Sequence, residues 1–155
     1  MKYLVIGLGN FGSTLAERLT DMGHDVIGID TNEQRIEEIK DRISVTYQMN
    51  ATERITLSTL PLRDLDCAIV AIGQSVESSL RVVAALKELQ VKRICARALD
   101  TTHRSILAAM NIKHIFIPET YAAYLYASMV TKDSFNVEDE FPGLGNAGKK
   151  NSGIK

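Results

Sequence analysis

Cysteine is scarce in this 155-residue sequence, which has only Cys67 and Cys95, so no disulfide framework holds it together. Neither has another cysteine or a histidine at metal-ligand spacing, and each stands at or near the start of an apolar run. Both are therefore expected to be small buried hydrophobes in a reducing cytoplasm. Excess charge is missing too. Eighteen basic and nineteen acidic residues leave −1, which gives no positive field for collecting nucleic-acid phosphates, and no basic helix suited to reading DNA stands out. The longest apolar runs, such as residues 68–72, stop far short of the roughly 20 residues a membrane helix needs. The first residues run directly into a strand pattern, so neither membrane insertion nor a signal peptide is expected. Catalytic patterns are also lacking. His24, His103 and His114 have no serine or cysteine nucleophile pattern around them. No tyrosine is followed four residues later by lysine, the pairing with which short-chain dehydrogenases polarise a carbonyl. There is no repeat of fixed period.

A composition of 45% hydrophobic and 24% charged residues is too apolar for disorder. The length suits one core that buries roughly 70% of the unfolded surface. Residues 2–6 form a short apolar run that ends abruptly in glycine, as a buried central strand does. Phe11, Leu15, Leu19 and Met22 then recur at helical spacing, and Gly23 stands at a C-cap. Strand patterns at 25–29, 44–48, 67–72, 93–97 and 114–117 alternate with helical patterns. The second helix starts at Thr31 or Asn32 with Ile36, Ile39 and Ile43 inward. The others fall over 51–60, along Val76, Leu80, Val83, Ala84 and Leu86, and over 101–110. Six strands alternating with helices predict an α/β, doubly wound, six-stranded parallel sheet of the Rossmann type, covered on both faces.

The glycines carry the clearest chemistry. Gly7, Gly9 and Gly12 form G-x-G-x-x-G directly after a strand and at the opening of a helix. In that context Gly7 permits the turn, Gly9 lets a pyrophosphate approach the backbone, and Gly12 lets helix and strand pack closely. The anion would sit on the amides around Asn10 and Phe11, favoured by the helix dipole. Asp30 ends the second strand, 18 residues after Gly12, where a carboxylate accepts hydrogen bonds from both hydroxyls of an adenosine ribose and repels a 2′-phosphate. NADP is accordingly disfavoured. The plainer role for Asp30 is a helix cap. Thr31 adjoins it, while Ala51-Thr52 follows the third strand and Gly73-Gln74 the fourth, directly after Ala71 and Ile72. All lie at the carboxyl edge, where parallel sheets bind ligands, although each dipeptide alone is a common loop sequence. Arg97 ends the fifth strand and could pair with phosphate; an exposed salt bridge of little worth is the alternative. Glu119 follows the sixth. It is the acid positioned to reach a metal held on a polyphosphate, but a lone carboxylate makes no metal site.

Residues 121–130 are apolar on all sides, with Ser128 the only conventionally polar side chain. One sheet covers only one stripe of such a helix, so self-association is expected; the alternative is a last helix in the domain's own groove with its tyrosine hydroxyls at water. From Asn136 onward the sequence turns acidic and then rich in glycine, lysine and asparagine. A domain over 1–132 followed by a flexible tail over 133–155 is the expected organisation.

Taken together, residues 3–12, Gly28-Ile29-Asp30, residues 50–53, residues 68–73, Ala96-Arg97 and Ile117-Pro118-Glu119 resemble the RCK N-terminal domain, also called TrkA-N or KTN. The pieces occur in order at the right strand ends over about residues 1–132. The resemblance implies a non-enzymatic cytoplasmic regulatory subunit or domain, peripheral to the inner face of the membrane through a membrane-embedded potassium channel or transporter. It also implies binding of NAD(H) or of an adenine nucleotide, and a homodimer, commonly extended to rings, made by a crossover helix after the sixth strand. Many members that sense ATP carry arginine where this sequence has Asn10, which shifts the expectation from ATP toward NAD(H), ADP or AMP. The companion C-terminal lobe of many members has no counterpart in this sequence. The rival reading is the cofactor domain of an NAD-dependent oxidoreductase that lacks its substrate domain, because one fingerprint serves both.

Overall fold

The structure is a computed structural model that describes residues 1–132; the tail expected over 133–155 lies outside the described residues. The chain divides into two compact units, Met1–Pro118 and Glu119–Lys155. In the first, β1 (Lys2–Ile6), β2 (Asp25–Asp30), β3 (Val45–Gln48), β4 (Cys67–Val70), β5 (Ile94–Arg97) and β6 (His114–Phe116) alternate with α1 (Asn10–Asp21), α2 (Glu33–Ile39), α3 (Arg54–Ser58), α4 (Val76–Glu88) and α5 (Thr101–Ala109). A sixth helix, α6, spans Pro118–Val130.

The strands pair in the order β3-β2-β1-β4-β5-β6, and every pairing is parallel. The doubly wound sheet expected from the sequence is present. Strand alternation divides the core. Leu4 and Ile6 of β1 and Ile27 and Ile29 of β2 join Leu57, Val82, Val83, Leu86 and Leu107 on the α3, α4 and α5 face. Val5 and Val26 join Ala16, Ile36, Ile39 and Ile43 on the α1 and α2 face. β1 therefore presents apolar side chains to both layers, which is why its pattern reads as a continuous apolar run. It lies between β2 and β4, where the strand order reverses, and a crevice opens at the carboxyl ends of such strands.

Three helices end in the same way. At the end of α1, Gly23 takes φ +83°; its N–H donates to Thr20 O, and that of His24 donates to Leu19 O, the paired bonds of a Schellman motif. Gln90 and Asn111 repeat the arrangement after α4 and α5 at φ 59° and 61°, bonding to Lys87 O and Ala108 O. Only the first is marked by a glycine.

Two expectations need correction. The helix expected over 51–60 is only Arg54–Ser58, because the Asn50 side chain accepts from the Thr52 N–H and hydroxyl at 3.1 and 2.8 Å and holds its first residues in a turn. Cys67 is buried, but Cys95 is only half-buried. Their sulfurs lie 3.5 Å apart, although Ile69, not Cys67, is the register partner of Cys95.

His103 is buried at 1% exposure. Its Nδ1 accepts from the Leu99 N–H at 3.2 Å, and Nε2 has no partner among the described residues. Burial pushes its pKa below the ordinary 6.5, against a smaller opposing pull from Asp100. A depressed folded-state value means that the unfolded chain binds the proton more readily. The stabilising contribution is thus complete above about pH 6.5 and is lost as the pH falls. Denaturant midpoints should drop between pH 7 and pH 5, and His103→Phe should flatten that dependence. An equally steep fall in the variant would assign it to other groups.

Candidate functional site

The crevice is assembled by the ends of β1, β2, β4 and β5. Gly7 leaves β1 at φ +94°, a conformation that side chains disfavour, and donates its N–H to Ile29 O at 2.8 Å. On the other side the Ala71 N–H donates to Ile6 O at 2.8 Å. The turn is thereby tied to both neighbouring strands. A Cβ on Gly7 would stand 3.1 Å from the Ile72 nitrogen, and one on Gly12 only 1.8 Å from the Gly7 carbonyl oxygen. Ala71 and Ile72 therefore wall the turn, and Gly12 is required by space.

Gly9 is the N-cap of α1. It has no side chain to satisfy the first-turn amides, and no acidic residue follows in that turn. The N–H groups of Asn10, Phe11 and Gly12 thus present the positive end of a 12-residue helix without a covalently attached acceptor. Such an end accepts an anion.

Asp30 is 7% exposed and is not a helix cap; Asn32 caps α2, accepting from the Arg35 N–H at 3.2 Å. The Asp30 carboxylate instead points back to the glycine turn. Oδ2 accepts from the Leu8 N–H at 2.7 Å, and Oδ1 accepts from the Asn32 N–H at 2.8 Å. One further donor was not foreseen from the sequence: Arg35 Nη1 lies 3.3 Å from Oδ2. The available signal was a basic residue in the first turn of the helix that follows the acid.

Arg97, from the end of β5, lies across Gly73. Its Nη1 is 2.6 Å from where a Gly73 Cβ would stand, and its guanidinium carbon is 5.8 Å from the centre of the Phe11 ring. The Phe11 ring in turn meets Phe116, with centroids 5.2 Å apart. Gly7, Gly9, Phe11, Gly12, Asp30, Ala71, Ile72, Gly73 and Arg97 are thus brought to one sheet edge. Thr31 and Thr52 are nearer solvent: Thr31 is exposed, its carbonyl accepting from Gln48 at 3.3 Å, and Thr52 bonds to Asn50. Ala51 is a core residue. Glu119 lies in the first turn of α6, in the second unit. Chemically, the crevice offers amides for an anion at one end and a carboxylate for hydroxyl donors at the other, with Arg35 beside the acid and Arg97 farther round the edge over Gly73 and the Phe11 ring.

The profile of the TrkA-N domain matches residues 3–118. "Ktr system potassium uptake protein A" of Vibrio alginolyticus is 34% identical over 118 residues, which is 76% of this chain and 54% of that protein. The protein of the same name from Bacillus subtilis is 33% identical over 76% of this chain and 53% of its own length. The chain thus spans about half the length of the curated relatives it matches. Among solved structures, the TrkA-N domain of the inner membrane protein ybaL from Escherichia coli superposes with a TM-score of 0.72 at 21% identity, covering 83% of this chain and 96% of that one. The Kef C-terminal domain of Shewanella denitrificans in its AMP-bound form gives 0.68 at 18% identity, over 84% and 79%. The GsuK channel bound to NAD gives 0.65 at 17%, over 76% of this chain and 21% of the channel. At these identities the structural matches establish the fold.

Proposed function

The chain belongs to the TrkA-N domain family, and on that premise we propose that it is a nucleotide-binding regulatory component of potassium transport. The observation that carries the reading is a single crevice in which the uncapped amides of α1 and the inward-turned Asp30 carboxylate converge on the same glycine turn. That pairing suits an adenosine nucleotide, with phosphate on the amides and ribose hydroxyls on the acid. NAD(H), ADP and AMP are the proposed ligands, because Asn10 adds no charge for a third phosphate.

We assign the site no reaction of its own; relatives named as potassium uptake proteins support a regulatory part. The membrane-embedded partner, a potassium channel or transporter subunit, and a cytoplasmic position at the inner face of the membrane belong to the same proposal. Among the described residues no helix is long and apolar enough to cross a membrane. Nucleotide would act by its differential affinity for two arrangements of an assembly, the only way a ligand shifts such an equilibrium.

Thermal unfolding with NADH, NAD, ATP, ADP and AMP tests the ligand. A nucleotide at 100 times its dissociation constant should stabilise the fold by about 2.7 kcal/mol. A midpoint unmoved by all five leaves the reading without a ligand.

Self-association is proposed through α6. Tyr121, Tyr124, Tyr126 and Val130 are each more than half exposed, and Leu125 is 44% exposed, an apolar display that a lone helix leaves in water. Light scattering should give a dimer or a larger ring. A strict monomer at high concentration rejects α6 as the contact.

A further inference from the structure

Arg35 stands between the two halves of the crevice. Its backbone is set by the cap of α2, since its N–H donates to the Asn32 side chain at 3.2 Å, so the side chain leaves the first turn of the helix beside Asp30. Nη1 lies 3.3 Å from Asp30 Oδ2. The guanidinium carbon and Nη1 both lie 4.0 Å from where a Gly9 Cβ would stand. One cation is therefore in reach of both the carboxylate and the cap of α1. The side chain is 32% exposed, so a solute can reach it. A guanidinium is a planar fork of five N–H donors that matches phosphate oxygens, and the bond to Asp30 engages only one of them.

Resting on the nucleotide reading above, we propose that Arg35 is a phosphate-binding residue of this site, bridging the acid that holds the ribose and the turn that holds the 5′-phosphate. Gly9 is the point of closest approach for a phosphate, and the charge at that end is otherwise only the partial charge of a helix terminus. Asn10 contributes no cation. Arg97 lies farther round the edge, over Gly73 and Phe11. Arg35 thus places a full positive charge where the turn itself has none, and it ties ribose recognition to phosphate recognition through the one carboxylate oxygen.

The test is calorimetric titration of the full chain with ADP and with NAD, both of which carry the adenosine 5′-phosphate, at several salt concentrations. R35Q should weaken both ligands roughly tenfold or more, the scale of one charge-assisted hydrogen bond, and should make the salt dependence of the dissociation constant shallower. R35K should restore the salt dependence by restoring the charge. Melting midpoints of both variants without ligand should stay within about 3 °C of the parent, because a partly exposed ion pair contributes little to stability. Affinities within roughly threefold of the parent in R35Q, or equal losses in both variants with an unchanged salt dependence, would overturn the phosphate role while the nucleotide reading stands. No binding of either ligand to the parent overturns both.

Discussion

Replacing Asp30 by alanine should abolish measurable nucleotide binding and lower stability as well. The carboxylate accepts the Leu8 and Asn32 N–H groups at 2.7 and 2.8 Å, and it is buried. The Leu8 donor is buried, and a buried donor left without an acceptor costs about 1–3 kcal/mol, so a loss in that range is expected. The conservative Asp30→Asn separates the two effects. It keeps an oxygen for one amide and nearly the same volume, and so should fold, but it removes the charge that the proposed site sets against ribose hydroxyls. Two charge-assisted bonds reduced to neutral ones correspond to roughly 100-fold in affinity. Calorimetry showing Asp30→Asn within a few-fold of the parent for every nucleotide would remove the carboxylate from the site.

Gly12→Ala should be the most damaging of the glycine-to-alanine changes in the first unit. Its Cβ would sit 1.8 Å from the Gly7 carbonyl oxygen and 3.3 Å from the Ala71 side chain. The first contact is with backbone that is itself tied to Ile29 by a hydrogen bond, so relief requires α1 to back away from β1. The cost lies at or above the ~3 kcal/mol upper end of ordinary overpacking, or about a 10 °C fall in melting temperature for a domain of this size. Nucleotide binding should fall with it, because the amides of Asn10 and Phe11 move with the helix. A variant that melts within a degree or two of the parent would show that the turn yields more easily than its bonds indicate. By contrast, Gly9→Ala meets only the Arg35 guanidinium at 4.0 Å and should leave stability nearly unchanged.

These contrasts also mark what the sequence made legible. Gly7, Gly12 and Asp30 stood out because their requirement is local: a strand ends, the backbone turns, and an acid ends the adjacent strand, all visible as spacing. The parallel sheet with helices on both faces followed from alternation and handedness, whereas the strand order came from the structure. Arg35 did not stand out, because its role depends on the rotation of α2 about its axis and on the reach of a long side chain, neither of which has a periodic signature. The caps at Gln90 and Asn111 were missed for a related reason. They adopt a backbone shape that glycine advertises and they do not. The early part of the helix expected over 51–60 is a turn because the Asn50 side chain competes for the backbone, an outcome that apolar periodicity does not record. Cys95 looked like a core residue from the run around it, but β5 alternates between buried and half-buried positions, and Cys95 falls on the more open side.

The donors that hold Asp30 all belong to the chain itself. The electrostatic cost of keeping a negative group under cover is thereby met by the fold's own donors. On the regulatory reading proposed above, a fall in nucleotide should therefore remove the signal without unfolding the domain, and the output should return as fast as ligand diffuses back, with no new protein synthesis.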